Sequence, residues 1–153
     1  MILWNIRAPL PFHYDSGKRM TSFKPVILVV EDHPIIRMAA VDLVGSAGFE
    51  GLEADSADQA IHILEARSDI RLVFTDVRMP GLMDGIELAH DIRRRWPPVE
   101  LIVASGDAAV RERPLPAGAK FFSKPYQEST LAQAMIDLLF DDDRERPALL
   151  RRT

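Results

Sequence analysis

The sequence contains no cysteine among its 153 residues. Disulfide bridges and thiolate metal sites are therefore excluded, and the composition fits a reducing compartment, which predicts a cytoplasmic protein. The sequence also lacks an uninterrupted apolar run near the length that crosses a bilayer. We therefore expect no insertion into a membrane.

Positive charge is scarce in the central part of the chain. Residues 25–140 hold 18 acidic side chains and 11 basic ones. Because the phosphates of nucleic acids reward clustered positive charge, non-specific binding to nucleic acid is not expected. We predict one domain over residues 25–140. Residues 1–24 are interpreted as an extension that is disordered or the product of a mis-assigned start, with Met20 as the alternative to Met1, and residues 141–153 as a tail too short for an output domain.

Apolar segments alternate with amphipathic ones along the predicted domain. The first, a continuous β-branched run, is typical of a strand buried on both faces. Strands that alternate with helices indicate a parallel sheet covered on both faces. The five predicted strands are Val26–Val30, a weak edge strand at Gly51–Ala54, Leu72–Thr75, Leu101–Ala104 and Phe121–Phe122.

Helical periodicity appears between these strands. In the stretch 34–47, Ile35, Met38, Ala39 and Leu43 share one helical face. Ser56 has the capping-box spacing to Gln59, which predicts the start of a second helix, and residues 84–96 predict a third. Pro114 and Pro116 leave room for only a short helix within 106–118. A last helix is predicted from the apolar stripe of Leu131, Ala134, Met135, Leu138 and Leu139.

Polar residues follow four of the strands, where a parallel sheet would bring them to one edge. They are Glu31 with Asp32, then Asp76, Ser105 and Lys124. Three clustered acids repel one another unless a cation compensates, and oxygen ligands without histidine or cysteine suit Mg²⁺. Asp76 could then be both ligand and nucleophile, with Lys124 and Ser105 contacting phosphoryl oxygens. Taken singly, each residue is more simply a helix cap or a solvated side chain, so the prediction depends on the set.

The stretch from Val26 to about Leu139 resembles the receiver domain of two-component response regulators, in a stand-alone form similar to the chemotaxis receiver. Four motifs carry the resemblance in the family's order: VVED at 29–32, FTDVRMPG at 74–81, VASG at 103–106 and FFSKP at 121–125. It implies a flavodoxin-like, doubly wound α/β fold with a five-stranded parallel sheet in the order 2-1-3-4-5.

The resemblance also implies a role for each site residue. Asp76 would be the phosphoacceptor, and Mg²⁺ would be bound by Asp32, Asp76 and the backbone carbonyl of Arg78, with Glu31 acting through water. Ser105 and Lys124 would be the switch hydroxyl and the family's lysine, and Phe121 occupies the aromatic switch position. Such a protein catalyses only its own phosphorylation and dephosphorylation.

The implied partners are a histidine kinase or a histidine phosphotransfer protein, and a downstream protein target. Whether the chain forms a homodimer stays open. Two other interpretations stay open as well. The first is a phosphorylation-independent scaffold, and the second is a phospho-aspartate hydrolase, although that class has a second Asp where this chain has Arg78. The sequence departs from the family in one extra residue between Met79 and Gly85, and in a shorter interval from Ser105 to Lys124.

Overall fold

The computed structural model describes residues 24–140 in full and, outside them, the backbone of two short strands. β1 (Phe12–Tyr14) and β2 (Met20–Ser22) pair with each other in antiparallel fashion. The predictions of a disordered or mis-assigned extension and of a C-terminal tail otherwise fall outside the described residues.

A parallel sheet of five strands forms the centre of the domain, in the order β4-β3-β5-β6-β7. Numbered along the domain, this order is the predicted 2-1-3-4-5, and the flavodoxin-like fold is confirmed. The weak second strand lies at the edge, as predicted. The strands are β3 (Val26–Val30), β4 (Glu50–Ala54), β5 (Ile70–Asp76), β6 (Glu100–Ser105) and β7 (Lys120–Ser123).

Helices cover both faces of this sheet, so each central strand is buried on two sides. α1 (Pro34–Ser46) and α4 (Glu128–Phe140) pack on one face, where the predicted stripe of α4 is buried throughout. α2 (Ala57–Ala66) and α3 (Gly85–Arg95) pack on the other face. The side chains of β3 alternate between these two apolar clusters, which explains its unbroken apolar run.

Of the four residues predicted to share the packed face of α1, only Leu43 is buried. Ile35 and Met38 are 72% and 63% exposed, and Ala39 is exposed as well. The buried residues are Ala40, at the midpoint of the helix, and Leu43 and Val44 after it. The packed stripe is therefore shifted by about one residue from the predicted one, and the first half of α1 presents apolar side chains to solvent.

Two helix starts are fixed by their caps. The Ser56 hydroxyl accepts the N–H of Gln59, whose side chain accepts the N–H of Asp55 rather than that of Ser56, so the predicted capping box is only half formed. A complete capping box lies instead at Asp84 and Glu87 and opens α3.

The segment after β6 holds only a 3₁₀ helix, Ala108–Glu112, as the two prolines predict. It occupies the interval where a longer helix would otherwise connect β6 to β7. Among the described residues, every helix is too short or too polar to cross a bilayer.

Candidate functional site

The strand-end residues meet at one edge of the sheet. Glu31 directly follows β3, Asp76 ends β5 and Ser105 ends β6, while Lys124 follows β7. The strands are parallel and in close register, with Asp76 opposite Ala104. The carboxyl ends of neighbouring strands therefore place these side chains side by side, as the sequence predicts.

Three carboxylates form the acidic centre of this edge. One oxygen each from Glu31, Asp32 and Asp76 lies within 4.8 Å of the others. Glu31 is buried, Asp76 is half-buried and Asp32 is exposed. Burial raises the pKa of Glu31, and its neighbours Asp32 and Asp76 raise it further. Because the donors are all oxygens and one side of the cluster is open, the set fits a hard, partly hydrated divalent cation such as Mg²⁺.

Lys124 supplies the positive charge at this centre. Its Nζ lies 3.1 Å from Asp76 Oδ1 and 3.3 Å from Glu31 Oε1. Burial alone would lower the pKa of Lys124, but the charges of Asp76 and Glu31 outweigh it and hold that pKa above its usual value. The lysine is thus firmly protonated beside the carboxylate of Asp76. Its backbone N–H also donates to Ser105 O at 2.9 Å, which joins β6 to the lysine.

Ser105 lines a groove together with Asp76 and Lys124, and Arg78 and Asp107 stand on the rim of the same groove. The Ser105 side chain is buried, and its Oγ accepts the N–H of Asp107 at 3.1 Å. Because that N–H occupies an acceptor position, the hydroxyl proton can be donated to an oxygen in the groove.

An ion pair joins two residues on the rim of this groove. No local sequence pattern indicates it. Arg78 donates from a terminal guanidinium nitrogen (Nη2) to Asp107 Oδ2 at 2.5 Å. The Arg78 guanidinium, helped by the N–H of Ala109, holds the pKa of Asp107 below its usual value. The two residues are 29 positions apart, so only the pairing of β5 with β6 brings them together.

Gly85 allows α3 to begin directly against the end of β5. A Cβ atom on Gly85 would lie 1.9 Å from Asp76 O, far inside contact distance. The Gly85 N–H donates to Val77 O at 2.9 Å, which fixes this approach. The sequence does contain a signal for this helix start: Asp84 and Glu87 have the capping-box spacing, and Gly85 between them lacks a side chain.

Phe121 does not line the groove. It lies on β7 and is half-buried against the apolar cluster under α2 and α3, and the Arg111 guanidinium carbon lies 6.0 Å from its ring centroid. The structure therefore brings together Glu31, Asp32, Asp76, Arg78, Ser105 and Lys124, whereas Phe121 packs with the apolar cluster under α2 and α3. The chemical role of each of these residues stays a prediction.

Comparison with known proteins identifies the family. The model of the response regulator receiver domain matches residues 27–136. The chain belongs to this family. Receiver domains are signalling domains of two-component systems rather than ordinary metabolic enzymes, and they characteristically bind Mg²⁺ and interact with histidine kinases or phosphotransfer proteins.

Similar proteins include receivers in larger regulators and kinases. The response regulator protein FleR of Pseudomonas aeruginosa is 40% identical over 117 residues, 74% of this chain and 23% of FleR. The sensor kinase CckA of Brucella abortus is 34% identical over 121 residues, 76% of this chain and 13% of CckA. The chain thus spans less than a quarter of either relative. The structure of the response regulator TrrA from Thermotoga maritima, in complex with Mg(2+)-BeF, has a TM-score of 0.70 at 26% identity and covers 76% of this chain and all of that one.

Proposed function

We propose that this receiver is a phosphoacceptor response regulator, which takes a phosphoryl group on Asp76 from a phosphohistidine of a histidine kinase or a histidine phosphotransfer protein. The observation that carries the proposal is the contact of Lys124 with both Asp76 and Glu31 inside a cluster of three carboxylates. A protonated lysine beside a carboxylate at an open strand end supports attack on phosphorus, since it stabilises charge on a phosphoryl oxygen.

The reaction needs little covalent work from the protein. A carboxylate oxygen of Asp76 forms a bond to phosphorus while the phosphorus–nitrogen bond of the donor breaks, and the imidazole leaves with the electron pair. Lys124 contacts one phosphoryl oxygen and the Ser105 hydroxyl donates to another. The acyl phosphate is later hydrolysed by water, so the only reactions that the domain promotes are its own phosphorylation and dephosphorylation.

Asp32 and Asp76, with the backbone carbonyl of Arg78 and with Glu31 through water, are the residues that would hold Mg²⁺. Bound there, the ion would neutralise charge on the carboxylates and on the transferring phosphoryl group. The fit depends on the donor set, which is all oxygen and open on one side. Lys124 cannot replace the ion, because one positive charge does not balance three carboxylates.

The signal would leave the domain by protein–protein contact. Phosphorylation adds about −1.5 to −2 charges at Asp76. Ser105 would turn toward the new group, and Phe121 would move into the space behind it. Phe121 lies on β7 opposite Val103, two residues before Ser105 on β6, and this proximity supports the coupling.

Labelling with a radioactive acyl phosphate and with a phosphorylated histidine kinase tests the proposal. We expect acid-labile, Mg²⁺-dependent label on the wild type, and loss of nearly all label in Asp76→Asn or after chelation of Mg²⁺. Lys124→Met should slow labelling by about 100-fold, the scale for removing one charge-stabilising donor. Asp42→Asn, which changes an exposed acid on α1, is the matched control and should label normally.

The alternatives give different results in the same experiment. A phosphorylation-independent scaffold would remain unlabelled under every condition. A hydrolase would release phosphate from phosphomonoesters with many turnovers, whereas a receiver gives none. Labelling of Asp76→Asn at the wild-type rate would refute the assignment of the phosphoacceptor.

A further inference from the structure

The segment that replaces a full helix after β6 is fastened at both ends by side-chain contacts. At its start, Asp107 bonds to Arg78 and to Ser105. At its end, Arg113 donates to Asp84 at 2.7 Å, and His90 Nε2 bonds Pro114 O at 2.9 Å. The end contacts are made to α3 and to its N-cap residue, Asp84. The start contacts are made on the groove rim itself.

Asp107 connects three parts of this region. Its Oδ1 accepts the N–H of Ala109 and caps the 3₁₀ helix, and its Oδ2 accepts from Arg78. Its own N–H donates to Ser105 Oγ. A short 3₁₀ helix has weak hydrogen bonds of its own, so a cap contributes a large share of its stability. Any change in the partners of Asp107 is therefore felt along Ala108–Glu112.

Arg78 can change partners more easily than Asp107 can. The Arg78 side chain is 77% exposed, against 29% for Asp107. Arg78 also lines the same groove as Asp76. A phosphoryl group on Asp76 carries about −1.5 to −2 charges and offers three acceptor oxygens, against one charge on Asp107. Guanidinium bonds to phosphate are bidentate and strong, so the competition favours the phosphoryl group.

We infer that the Arg78–Asp107 ion pair is a latch on the 3₁₀ segment, and that phosphorylation of Asp76 opens it by drawing Arg78 to the phosphoryl group. The inference rests on the proposed function, because it needs the phosphoryl group on Asp76. Asp107, left without its guanidinium partner, holds the segment less tightly. The contacts of Arg113 and Pro114 to α3 persist and confine the change to residues 107–112.

Amide hydrogen exchange, read by NMR on the full chain, tests the latch with beryllium fluoride and Mg²⁺ as the phosphoryl mimic. In the wild type we expect exchange at Ala109 and Val110 to rise about three- to fivefold on addition of the mimic, the range that an exposed ion pair supports. Arg78→Gln should exchange faster than the wild type before the mimic is added, and the mimic should raise exchange at Ala109 and Val110 less than it does in the wild type, since only the contact of Asp107 with Ser105 is left to change. Arg67→Gln, which breaks an exposed pair with Asp69, is the control and should respond like the wild type.

Fluorine NMR of bound beryllium fluoride separates the two proposals. If the mimic is bound but exchange at residues 108–112 does not change, the latch is refuted and the phosphoacceptor stands. A wild-type response in Arg78→Gln would refute the latch as well. If the wild type shows no bound signal, or if Asp76→Asn still binds the mimic, the proposed function fails and the latch fails with it.

Discussion

The two sides of the pocket around Asp76 differ in secondary structure and in the polarity of their side chains. On one side the first half of α1 is regular helix, and Ile35, Ile36 and Met38 are exposed apolar side chains beside Asp32. On the other side a single short 3₁₀ helix is tied down by charged contacts, Arg78 to Asp107 and Arg113 to Asp84. One rim is a regular helix with exposed apolar side chains, while the other is a short 3₁₀ helix held by charged contacts.

This difference suggests a division of labour. Covering exposed apolar side chains with a second protein lowers the free energy of the complex. A helix that is already formed loses little conformational entropy when it docks. Charged pairs at the surface contribute little to stability, so a more highly charged competitor needs little free energy to break them. If the proposed function holds, we therefore expect the histidine-bearing donor to dock on the α1 side and the 3₁₀ side to change on phosphorylation.

The floor of the pocket is the place where Gly85, at the start of α3, packs against the end of β5. The largest effect is expected there. Gly85→Ala would place a Cβ atom 1.9 Å from Asp76 O, a contact with backbone that cannot turn away. We expect a loss of about 3 kcal/mol or more in the free energy of unfolding, measured by urea denaturation, because α3 or β5 must shift.

Gly45→Ala is the matched substitution on the α1 side. Gly45 lies inside the helix, and a Cβ atom added there would meet nothing within 4 Å. We expect it to stabilise the domain by about 0.5–1 kcal/mol, because alanine favours the helix. Equal changes in the free energy of unfolding for Gly85→Ala and Gly45→Ala would show that the floor of the pocket adapts as easily as the surface of α1. The expected difference between the two places would then be refuted.

The floor of the pocket could be predicted from the sequence better than its rim. The order of the strands and the convergence of Glu31, Asp76 and Lys124 follow from alternation and from polar residues at strand ends, both of which are local signals. The short helix could be predicted as well, since Pro114 and Pro116 act on their own neighbours. These features need no knowledge of side-chain packing.

The rim depends on contacts that local patterns do not contain. Arg78 meets Asp107, and Arg113 meets Asp84, across 29 positions each, so both pairs exist only once the sheet has formed. For α1, two apolar stripes overlap in the sequence. Ala40, Leu43 and Val44 face the sheet and are buried, whereas Ile35 and Met38 are exposed to solvent. Periodicity alone could not choose between them.

An intermediate effect is expected on the apolar side of the comparison. Ile35→Ser together with Met38→Gln should lower the rate of phosphoryl transfer from a phosphorylated histidine protein by about tenfold, because about 1.4 kcal/mol of apolar contact with the donor is lost. Rapid-quench kinetics with the partner measure this rate. Labelling by a small acyl phosphate serves as the internal control and should not change, since that donor touches only the pocket.

Equal slowing with both donors would mean that the substitutions damage the pocket itself. No slowing with either donor would remove the distinction between an apolar docking side and a polar responsive side. The same two donors can be applied to Arg78→Gln, which changes the polar side of the pocket and leaves α1 unchanged, since Arg78 lines the groove.

The smallest effect is expected at the Arg113–Asp84 ion pair on the polar side, and its size depends on pH. Partial burial of Asp84 would raise its pKa, but the Arg113 guanidinium and the N–H groups of Glu87 and Ile86 outweigh burial and hold that pKa below its usual value. A lowered pKa means that the folded state binds fewer protons than the unfolded one. The contribution is therefore present above about pH 4 and is lost as pH falls through the folded-state pKa.

Arg113→Gln should accordingly lower the free energy of unfolding by about 0.5 kcal/mol at pH 7, as is usual for a partly exposed pair. The difference from the wild type should shrink toward zero as the pH falls below the ordinary pKa of an aspartate, because protonation of Asp84 removes its attraction to Arg113 in the wild type. Urea denaturation at a series of pH values measures the difference, and added salt should reduce it at neutral pH. A difference that is independent of both pH and salt would mean that Arg113 acts by packing, and the polar side would then resemble the apolar one.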